Sequence, residues 1–542
     1  MLSQLIRKVR QVKADPVLRR WLAGRVMGRW SGEPPFNPHI PPYLENLLPL
    51  EPGQGSCNFT SFQATAPSSA VTLKLAGKSL LLQPGDEIGI FERPFDDIET
   101  FLSLHRFAWL SDDLDPGWVS AMWRSWCASH GEPSETWAWH PYTAGERAVN
   151  ILAYGREKGL PEPFGETVDI LTTHATSISR KLEYFGDHHT SNHLANNGRA
   201  LFVLGLELNL PEATRIGTRI LLAEAERMFS PSGMLREGSS HYHLLYLALY
   251  EMVAGLAAEQ SHPEATALRE IANRCRAVAG HLILPGGLPL IGDISPDITP
   301  TDLLGKLDLA PDTSPFCADG WLRYESGPWT GLWHASSEGW SHMPGHGHQD
   351  IGGFELHYDN IPLFIDPGRG AYGEDGDAAY YRSAQAHNGL TVNEADPFPA
   401  NKPYYDSGFR RQISGPPPVL SATTDEVSLK HNGFARLGSI EEHKRVWRFD
   451  GHHMMLEDFV GGSARTRLMR TLITPLVPEQ TVGGILLRGD AVTFRVHQDG
   501  GDVDIENIRR WTAYGISEPA FALRFKASSH LPFHGKITVE VT

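Results

Sequence analysis

The stretch "TAGERAVNILAYGREK", residues 143–158, indicates how the first half of the chain folds. Its apolar residues recur at helical spacing, which predicts one apolar face of an α-helix. Thr143 and Glu146 stand three residues apart and are typical of a capping box at a helix start. We therefore expect an amphipathic helix here that packs against its neighbours on one side.

The same helical pattern recurs along the chain after this stretch. Turn signals such as "LPEPFG" and "LNLPEA" separate the repeats. A regular succession of helices predicts stacked antiparallel hairpins, in a solenoid or a closed toroid. We expect an incomplete α/α toroid over 61–310, preceded at 1–60 by a basic helix and a proline-rich surface wrap. The further predicted helices are 167–184, 193–208, 214–229, 240–258 and 264–283.

The second half of the chain changes character near residue 320. Short alternating runs such as "GFELHY" (353–358) and "HKRVWRF" (443–449) take over, bounded by Gly, Asp and Asn turns. Such runs are typical of an antiparallel β-sandwich. We expect this sandwich over 320–542, after a seam rich in Pro, Gly and Asp at 284–320. The predicted fold class is multidomain α and β.

Length and composition narrow the classes of protein. A chain of 542 residues predicts two or more domains. Its 41% hydrophobic and 21% charged residues are typical of a soluble globular protein. The net charge of −16 argues against a nucleic-acid partner. The four cysteines lack CxxC spacing, which favours reduced thiols over a disulfide frame or a zinc ribbon.

The first 30 residues are strongly basic, with eight Lys or Arg against one acid, Asp15. This predicts a basic amphipathic helix, either solvated or in weak contact with a membrane surface or an acidic partner. The segment lacks the apolar core of a secretory signal. No run of about 20 apolar residues predicts a transmembrane helix. The cytoplasm is therefore the expected location, with the periplasm as the alternative, and the oligomeric state stays open.

A first polar cluster is "GDHHTSNHLANNGRALFVLG", residues 186–205. On a helix, His189 and His193 lie one turn apart, as do Asn192 and Asn196. A solvated face normally carries Glu and Lys, so a stripe of His and Asn favours ligand binding. The alternative is an ordinary helix N-terminus whose polar side chains satisfy local hydrogen bonds.

A second cluster is "MLREGSSHYHLLYLALYEMV", residues 234–253. Glu237, His241, Tyr242 and His243 stand at the start of a strongly apolar helix. Tyr242 and the tyrosine four residues later share a helix face. Such tyrosines are either functional or core residues with the hydroxyl at the rim.

A third cluster is "GHGHQDIGGFELHYDNIPLFIDPG", residues 345–368. On an extended segment His346 and His348 point to the same side. Asp366 and His387 follow. A His, Asp and His set supplies the three protein ligands of a zinc site with one open position. The same residues could instead form a hydrogen-bond network without metal.

The order of these clusters resembles the heparinase II/III-like polysaccharide lyases. The shared features are "NH" in one helix, "SxxYH" at the head of another, and then "HGHxD", "DPG" and "AHN". "WHPYTAGERAVNIL" and "PLIGD" also look like family landmarks. The likeness covers about residues 137 to 450 and is looser elsewhere. It implies an α/α toroid followed by a C-terminal antiparallel sandwich.

The resemblance also implies a reaction, β-elimination at a 4-linked uronate in an anionic polysaccharide. The C5 proton is removed and the sugar at O4 leaves, so the neighbouring carboxylate must be neutralised and protons transferred. By resemblance, Asn192 neutralises the carboxylate with help from His193. Tyr242 acts in proton transfer, as acid and also as base. His346 is a second base or a supporting donor.

Two further sets of residues follow from the resemblance. One zinc ion per chain, structural in role, is expected on His348, Asp366 and His387. Other polar residues of the three clusters and one arginine near them are expected to contact the substrate. This substrate-binding set is His189, Asn196, Glu237, His241, His243 and Arg382.

Three other functions compete with a lyase. An inverting glycosidase on an α/α barrel needs two carboxylates, for which Glu146, Glu237 and Asp293 are candidates. A non-catalytic polysaccharide-binding protein with this fold would have lost parts of the cluster. "HGHQD" resembles the HxHxDH motif of two-zinc hydrolases, but Ile351 stands where the last histidine belongs.

Overall fold

The structure is a computed structural model. It describes residues 12–542 apart from 14, 31–37, 48–49, 51–54, 188–189, 342–344, 401, 403 and 490–491. None of the helices in these described ranges is long and apolar enough to cross a membrane.

The chain is mainly helical up to residue 307. The α-helices are Pro16–Val26, Ile98–His105, Pro116–His130, Pro141–Lys158, Phe164–Arg180, His193–Glu207, Pro211–Met228, Ser240–Glu259, Ala265–Ala279 and Pro300–Leu307. Short 3-10 helices are Pro42–Leu44, Ile90–Glu92, Trp137–Trp139 and Gly280–Leu282. Val71–Leu75 and Lys78–Leu82 form a hairpin, and Ser61–Phe62 pairs with Leu160–Pro161. All six helices expected from the apolar spacing are confirmed.

Helix His193–Glu207 lies at the centre of the helical part and packs against four other helices. Its approach to helix Pro211–Met228 is close because glycine faces it. A Cβ added to Gly217 would lie 2.4 Å from the backbone nitrogen of Phe202. The helix carrying the first polar cluster is therefore held on several sides.

The capping box expected at residue 143 is wrong. The helix begins two residues earlier, at Pro141, and no side chain caps it. Proline is well suited to the first helical position because its φ is already fixed there. Thr143 is buried, and Glu146 is ion-paired with Arg199.

Three antiparallel sheets make up the second half. The five-stranded sheet runs Phe316–Ala318, Trp321–Ser326, Trp329–His334, Gly353–Tyr358, Ile361–Phe364. The eight-stranded sheet runs Val419–Ala422, Glu426–His431, Ile440–Phe449, His453–Gly462, Phe533–Val541, Thr493–Gln498, Gly484–Arg488, Pro478–Thr481. The four-stranded sheet runs Leu390–Val392, Arg465–Thr474, Ile516–His530, Asp502–Ala513. Short helices are Gly376–Tyr380, Ala384–Ala386, Ser407–Ser414 and Gly433–Leu437.

The sheets share one apolar core. Trp333 and Phe354 from the five-stranded sheet meet Trp447 from the eight-stranded sheet, with ring centroids 5.8 and 5.5 Å from it. Leu523 joins them from the four-stranded sheet. The predicted fold class, a helical toroid followed by an antiparallel β-sandwich, is confirmed. The domain limits expected from the sequence stay predictions.

The basic N-terminal segment includes helix Pro16–Val26, which Asp15 caps by accepting from two backbone N–H groups. Its apolar side packs against the second half of the chain, where Trp21 contacts the rings of Tyr404 and Tyr405. Residues 1–11 lie outside the described residues. Contact with a membrane surface stays a prediction.

Three segments from the two halves meet at one place. Ser240 N donates to Ile291 O at 3.0 Å, and Asp293 N donates to His346 O at 2.8 Å. His346 N donates in turn to Glu237 O at 3.2 Å. These bonds join the start of helix Ser240–Glu259, the 291–293 segment and the histidine-rich segment. The second and third polar clusters therefore lie together.

Two glycines make this meeting sterically feasible. Gly238 and Gly292 have φ of +72° and +80°, a region that L side chains rarely adopt. A Cβ on Gly292 would lie 2.5 Å from the carbonyl oxygen of Gly238 and 2.8 Å from that of His346. No larger residue fits at Gly292 without moving backbone.

Candidate active site

Tyr242 lies in the first turn of its helix and faces the second half of the chain. Its ring stacks on His346, with centroids 3.4 Å apart and planes 12° apart. Its hydroxyl is 2.7 Å from that of Tyr372, which donates its proton to Ile294 O at 2.9 Å. Because that proton is already donated, Tyr242 is the donor in the bond between the two hydroxyls.

The surroundings of Tyr242 keep it a neutral phenol at rest. Burial raises its pKa well above the ordinary value, and the Asp297 and Asp293 carboxylates add to this. The hydrogen bond with Tyr372 acts in the opposite direction, since it stabilises the phenolate. The resting side chain can therefore give a proton, and it has a partner suited to its anion.

Asn192 is fixed through its backbone and leaves part of its side chain unused. Its N–H donates to Glu237 Oε1 at 3.0 Å, and its carbonyl accepts from the Tyr246 hydroxyl at 2.8 Å. The side-chain Oδ1 is buried and has no hydrogen-bond partner among the described residues. Buried polar atoms are rarely left so, except where a ligand or water completes the bonding.

His193 follows at the start of helix His193–Glu207, and 41% of its side chain is accessible. Its Nδ1 lies 2.7 Å from Glu183 Oε1. Although partial burial disfavours the imidazolium, the Glu183 carboxylate raises the pKa of His193 above its ordinary value. His193 is therefore suited to present positive charge to an anionic ligand.

His346 faces a carboxylate at each ring nitrogen. Nδ1 is hydrogen-bonded to Asp293 Oδ2 at 3.3 Å, whereas Nε2 lies 3.3 Å from Glu237 Oε2 and has no hydrogen-bond partner among the described residues. Both roles expected for it, second base and supporting donor, therefore stay predictions.

Three members of the expected substrate-binding set are fully buried. In His243, Nδ1 accepts from Leu235 N at 3.2 Å and Nε2 donates to Cys275 O at 3.1 Å. The prediction that His243 contacts a substrate is therefore wrong, because the helix turns this ring into the core.

His241 and Glu237 are also buried. His241 Nδ1 accepts from Ser295 N at 3.0 Å, and burial lowers the pKa of this ring to about 3. Glu237 bonds Asn192, faces His346 and lines a cavity beside the histidine-rich segment. Substrate contact by either residue stays a prediction, and Glu237 also orients two other cluster residues.

The remaining substrate-binding candidates differ in their placement. Asn196 is buried and donates to Tyr142 O at 3.4 Å, which links two helices, and its Oδ1 has no hydrogen-bond partner among the described residues. Arg382 is 40% exposed and pairs with Glu374 at 3.1 Å. His189 lies outside the described residues.

Two open spaces border the cluster. A cavity of about 580 Å³ adjoins the histidine-rich segment, with His348, Arg382 and Trp340 in its wall. A second cavity, of about 540 Å³, is lined by residues that include Trp137 and His140. His140 Nε2 is 3.6 Å from the Glu183 carboxylate that holds His193. Volumes in this range are typical of ligand sites.

The three expected metal ligands lie together. His348, Asp366 and His387 each offer a ligand atom, all within 4.8 Å of one another. Ligand atoms bound to one tetrahedral zinc at about 2.1 Å would lie roughly 3.4 Å apart, a value between the 2.9 Å of the Asp366–His387 pair and the 4.8 Å limit of the group. His348 Nδ1 is buried and has no hydrogen-bond partner among the described residues. That unused lone pair fits a metal ligand.

His387 points to the same conclusion. Its Nε2 donates to Tyr381 O at 2.9 Å, while its Nδ1 lies 2.9 Å from Asp366 Oδ2. Either a proton or a cation must stand between that nitrogen and that oxygen. In the proton case the Asp366 carboxylate outweighs burial and raises the pKa of His387 to about 9. The residues therefore fit a metal ion.

Sequence reasoning missed several residues of this site. Asp293 entered only as a glycosidase candidate, although its "PLIGD" segment is a family landmark. Tyr372 and Arg369 carry no local signal, since they reach the site through a loop between strands. Glu183 sits ten residues before His193, and only the turn of the chain brings the two together.

Comparison with known proteins agrees with the geometry. Residues 310–540 match the family described as heparinase II/III-like, C-terminal. A structure of heparinase III has a TM-score of 0.62 at 15% identity, covering 83% of this chain and 78% of its own. The heparinase III-BT4657 gene product gives 0.57 at 18% identity, covering 83% and 80%.

A third similar structure is heparan sulfate lyase HepC from Pedobacter heparinus, with a TM-score of 0.52 at 16% identity, covering 85% of this chain and 79% of its own. No curated protein sequence matches the chain. At these identities the structures establish the fold, and the family match covers the strand-rich half. Residues 310–540 therefore form a heparinase II/III-like C-terminal domain, and the chain as a whole shares the fold of these lyase structures.

Proposed function

We propose that the protein cleaves a uronate-containing polysaccharide by β-elimination, leaving a 4,5-unsaturated uronate at the new end. The observation that carries this proposal is the Tyr242 phenol, stacked on His346 and bonded to Tyr372 where the two halves of the chain meet. A neutral proton donor, an unused carboxamide and a cationic imidazole in one cluster are the groups that this reaction needs.

Carboxylate neutralisation falls to Asn192 and His193. The C5 proton is very weakly acidic while the uronate carboxylate keeps its full charge, because the developing enolate would then carry excess negative charge. The Asn192 carboxamide can donate a hydrogen bond from Nδ2 to that carboxylate, whereas its buried Oδ1 can only accept one. His193, whose pKa Glu183 raises, adds positive charge. Preorganised groups of this kind stabilise charge that develops in the transition state.

Proton transfer falls to Tyr242. As a neutral phenol it can protonate the departing O4, and the Tyr372 hydroxyl can then turn to donate to the phenolate. His346 supports this step by covering one face of the ring, held in place by Asp293 and Glu237. The phenolate formed in this way accepts the proton that leaves C5, so the proton given to O4 is replaced and the neutral phenol is regenerated.

We propose zinc as the metal on His348, Asp366 and His387, with a structural role. Imidazole nitrogens and a carboxylate are ligands that zinc accepts. The second nitrogen of each histidine is held by the protein, on Asp293 and on Tyr381 O, as in metal sites whose ligand tautomers are fixed. A bound ion would stiffen the strand-rich half beside the cleft.

The substrate is proposed to be an anionic chain of the glycosaminoglycan type or a related exopolysaccharide. Similar structures bear the names heparinase III and heparan sulfate lyase. The decisive experiment incubates the protein with heparan sulfate, chondroitin, hyaluronan, alginate and bacterial uronate polymers. Ultraviolet absorbance of the unsaturated uronate, confirmed by mass spectrometry, is the expected result on at least one polymer.

The glycosidase alternative is disfavoured by the carboxylates it would use. Glu146 is ion-paired with Arg199, Glu237 is fully buried, and Asp293 bonds two histidines and an arginine. A hydrolase would instead leave a saturated end containing oxygen from water. Chain shortening with ¹⁸O incorporation and no absorbance would therefore refute the lyase. Binding without cleavage of any polymer would support the non-catalytic alternative.

A further inference from the structure

One buried carboxylate joins two histidines to which the sequence assigns different tasks. Asp293 Oδ1 lies 2.8 Å from Nε2 of His348, the candidate metal ligand. Asp293 Oδ2 lies 3.3 Å from Nδ1 of His346, the cleft histidine. Arg369 approaches both oxygens, at 3.0 and 3.3 Å. The two rings stand on either side of Gly347, so the carboxylate bridges neighbouring positions of one segment.

The backbone of Asp293 is held as firmly as its side chain. Its N–H donates to His346 O at 2.8 Å. Its carbonyl accepts from the Ser239 hydroxyl at 2.8 Å, and Ser239 also caps the helix that begins beside Tyr242. Asp293 is thus anchored to both the tyrosine helix and the histidine segment.

The bonding pattern fixes a tautomer for each ring. A carboxylate only accepts hydrogen bonds, so the nitrogens that face it must carry hydrogen. For His348 this is Nε2, which leaves the unpartnered Nδ1 lone pair for the group it forms with Asp366 and His387. For His346 it is Nδ1, because its contact with Asp293 is a hydrogen bond and the contact of Nε2 with Glu237 is not; the bond at Nδ1 sets the ring angle over Tyr242.

We propose that Asp293 is a positioning residue that couples the metal site to the cleft. It holds His348 in the form that binds a metal and His346 in the pose that supports Tyr242, so a change at either ring is transmitted to the other. The consequence for turnover rests on the proposed function, whereas the coupling between the rings does not.

The first test uses the full chain, stripped of metal and labelled with ¹⁵N in its histidines. Zinc is added while the ring nitrogens are followed by NMR. The ring-nitrogen resonances of the ligands His348 and His387 should shift when zinc binds. Those of His346, which is not a ligand, should shift with them. Unmoved His346 resonances on zinc binding by the wild-type chain would overturn the coupling.

The second test is Asp293→Asn. The asparagine amide has the shape of the carboxylate but only one acceptor oxygen. Either His346 or His348 must therefore face the amide NH₂ group, which is a donor. Zinc affinity, measured by competition with a chelator, should fall about 10- to 100-fold, the usual cost of losing such a partner. The response of His346 to zinc should disappear. Zinc affinity within about twofold of wild type would overturn the proposal.

The matched control is Asp458→Asn. Asp458 is also buried and accepts from a histidine and an arginine, His443 at 2.8 Å and Arg445 at 2.6 Å, but it has no hydrogen bond with His346 or His348. The Asp458→Asn substitution should lower the free energy of unfolding. It should leave zinc affinity and the zinc-induced shift of the His346 resonances unchanged. If both variants lost zinc affinity equally, destabilisation of the fold alone would explain the loss. That result would refute the coupling.

Kinetics separate this proposal from the proposed function. On a polymer that wild type cleaves, Asp293→Asn should lower kcat at least tenfold with little change in KM. If wild type cleaves no polymer, the lyase assignment fails while the zinc and NMR results still decide the coupling. If Asp293→Asn does not fold, the wild-type zinc titration decides it alone.

Discussion

Tyr242→Phe is the sharpest perturbation of the proposed chemistry. The substitution removes one oxygen and keeps the ring that stacks on His346 at 3.4 Å. The only described hydrogen bond lost is the one to Tyr372, at 2.7 Å. Tyr372 keeps its own donation to Ile294 O. The variant therefore changes the proton donor with little change in packing.

The magnitudes follow from these contacts. Loss of one buried hydrogen bond should lower the free energy of unfolding by about 1 kcal/mol. Loss of a general acid should lower kcat by about 10²- to 10⁴-fold, or roughly 3–5 kcal/mol of transition-state stabilisation. KM should change little, because the interaction is made mainly in the transition state.

The assay measures the initial rate of unsaturated product formation together with thermal unfolding. Tyr250→Phe is the matched control, since this tyrosine lies two turns further along the same helix. It is fully buried, and its hydroxyl donates to Leu221 O at 2.9 Å. Both variants should lose similar stability, and only Tyr242→Phe should lose turnover. Retention of more than about a tenth of wild-type kcat would refute Tyr242 as the proton donor.

Three further predictions concern other parts of the molecule. Asn192→Ala should lower kcat about 10²-fold with little loss of stability, because the carboxamide serves the substrate and not the fold; unchanged product formation would contradict it. His348→Ala should lower metal content and Tm together, checked by elemental analysis and calorimetry, and well-folded wild type without metal would refute the site. The Asp458 carboxylate has a pKa held well below its usual range by Arg445, despite burial, so its stabilisation is present above about pH 4 and lost as pH falls further. Asp458→Asn should flatten this acid limb of unfolding free energy against pH, and an unchanged limb would refute the assignment.

The elements that periodicity governs were predictable from the sequence. Apolar residues at helical spacing produced the six helices, and alternation produced strands such as Gly353–Tyr358. Both patterns can be recognised within a single helix or strand, because each helix or strand must bury one of its faces. It was also predictable that Tyr242 and His346 belong to one site, and the structure brings the two rings into contact.

What the sequence could not provide was the direction of each side chain at a helix start. His241 and His243 flank Tyr242, and all three look alike as polar residues before an apolar run. The helix rotates successive residues by about 100°, so the two histidines turn into the core while the tyrosine meets His346. A core histidine satisfied by backbone groups has the same sequence signature as a ligand.

The missed residues share a different cause. Asp293, Arg369 and Tyr372 act through contacts between segments separated by more than 50 positions, such as the bond from His346 to Asp293. Such contacts depend on how the helical and strand-rich halves dock, and no local pattern records that docking. Glycine at 292 is the nearest sequence trace of it, since only a residue without a Cβ lets the 291–293 segment approach Gly238.

This docking also explains why the cluster carries few free charges. Tyr242 and Asn192 come from the helical half, His346 and Tyr372 from the strand-rich half, so the chemistry exists only where the two surfaces exclude water. In such a place an unpaired charge is expensive, and every carboxylate named in the cluster is matched by histidine, arginine or a backbone donor. Two side-chain oxygens of the cluster stay without a hydrogen bond among the described residues, Asn192 Oδ1 and Glu237 Oε2, and the latter lies 3.3 Å from His346 Nε2. A chain of net charge −16 can therefore present a site that receives an anion, because Glu183, Glu237 and Asp293 each face a histidine and His193 leaves 41% of its side chain accessible.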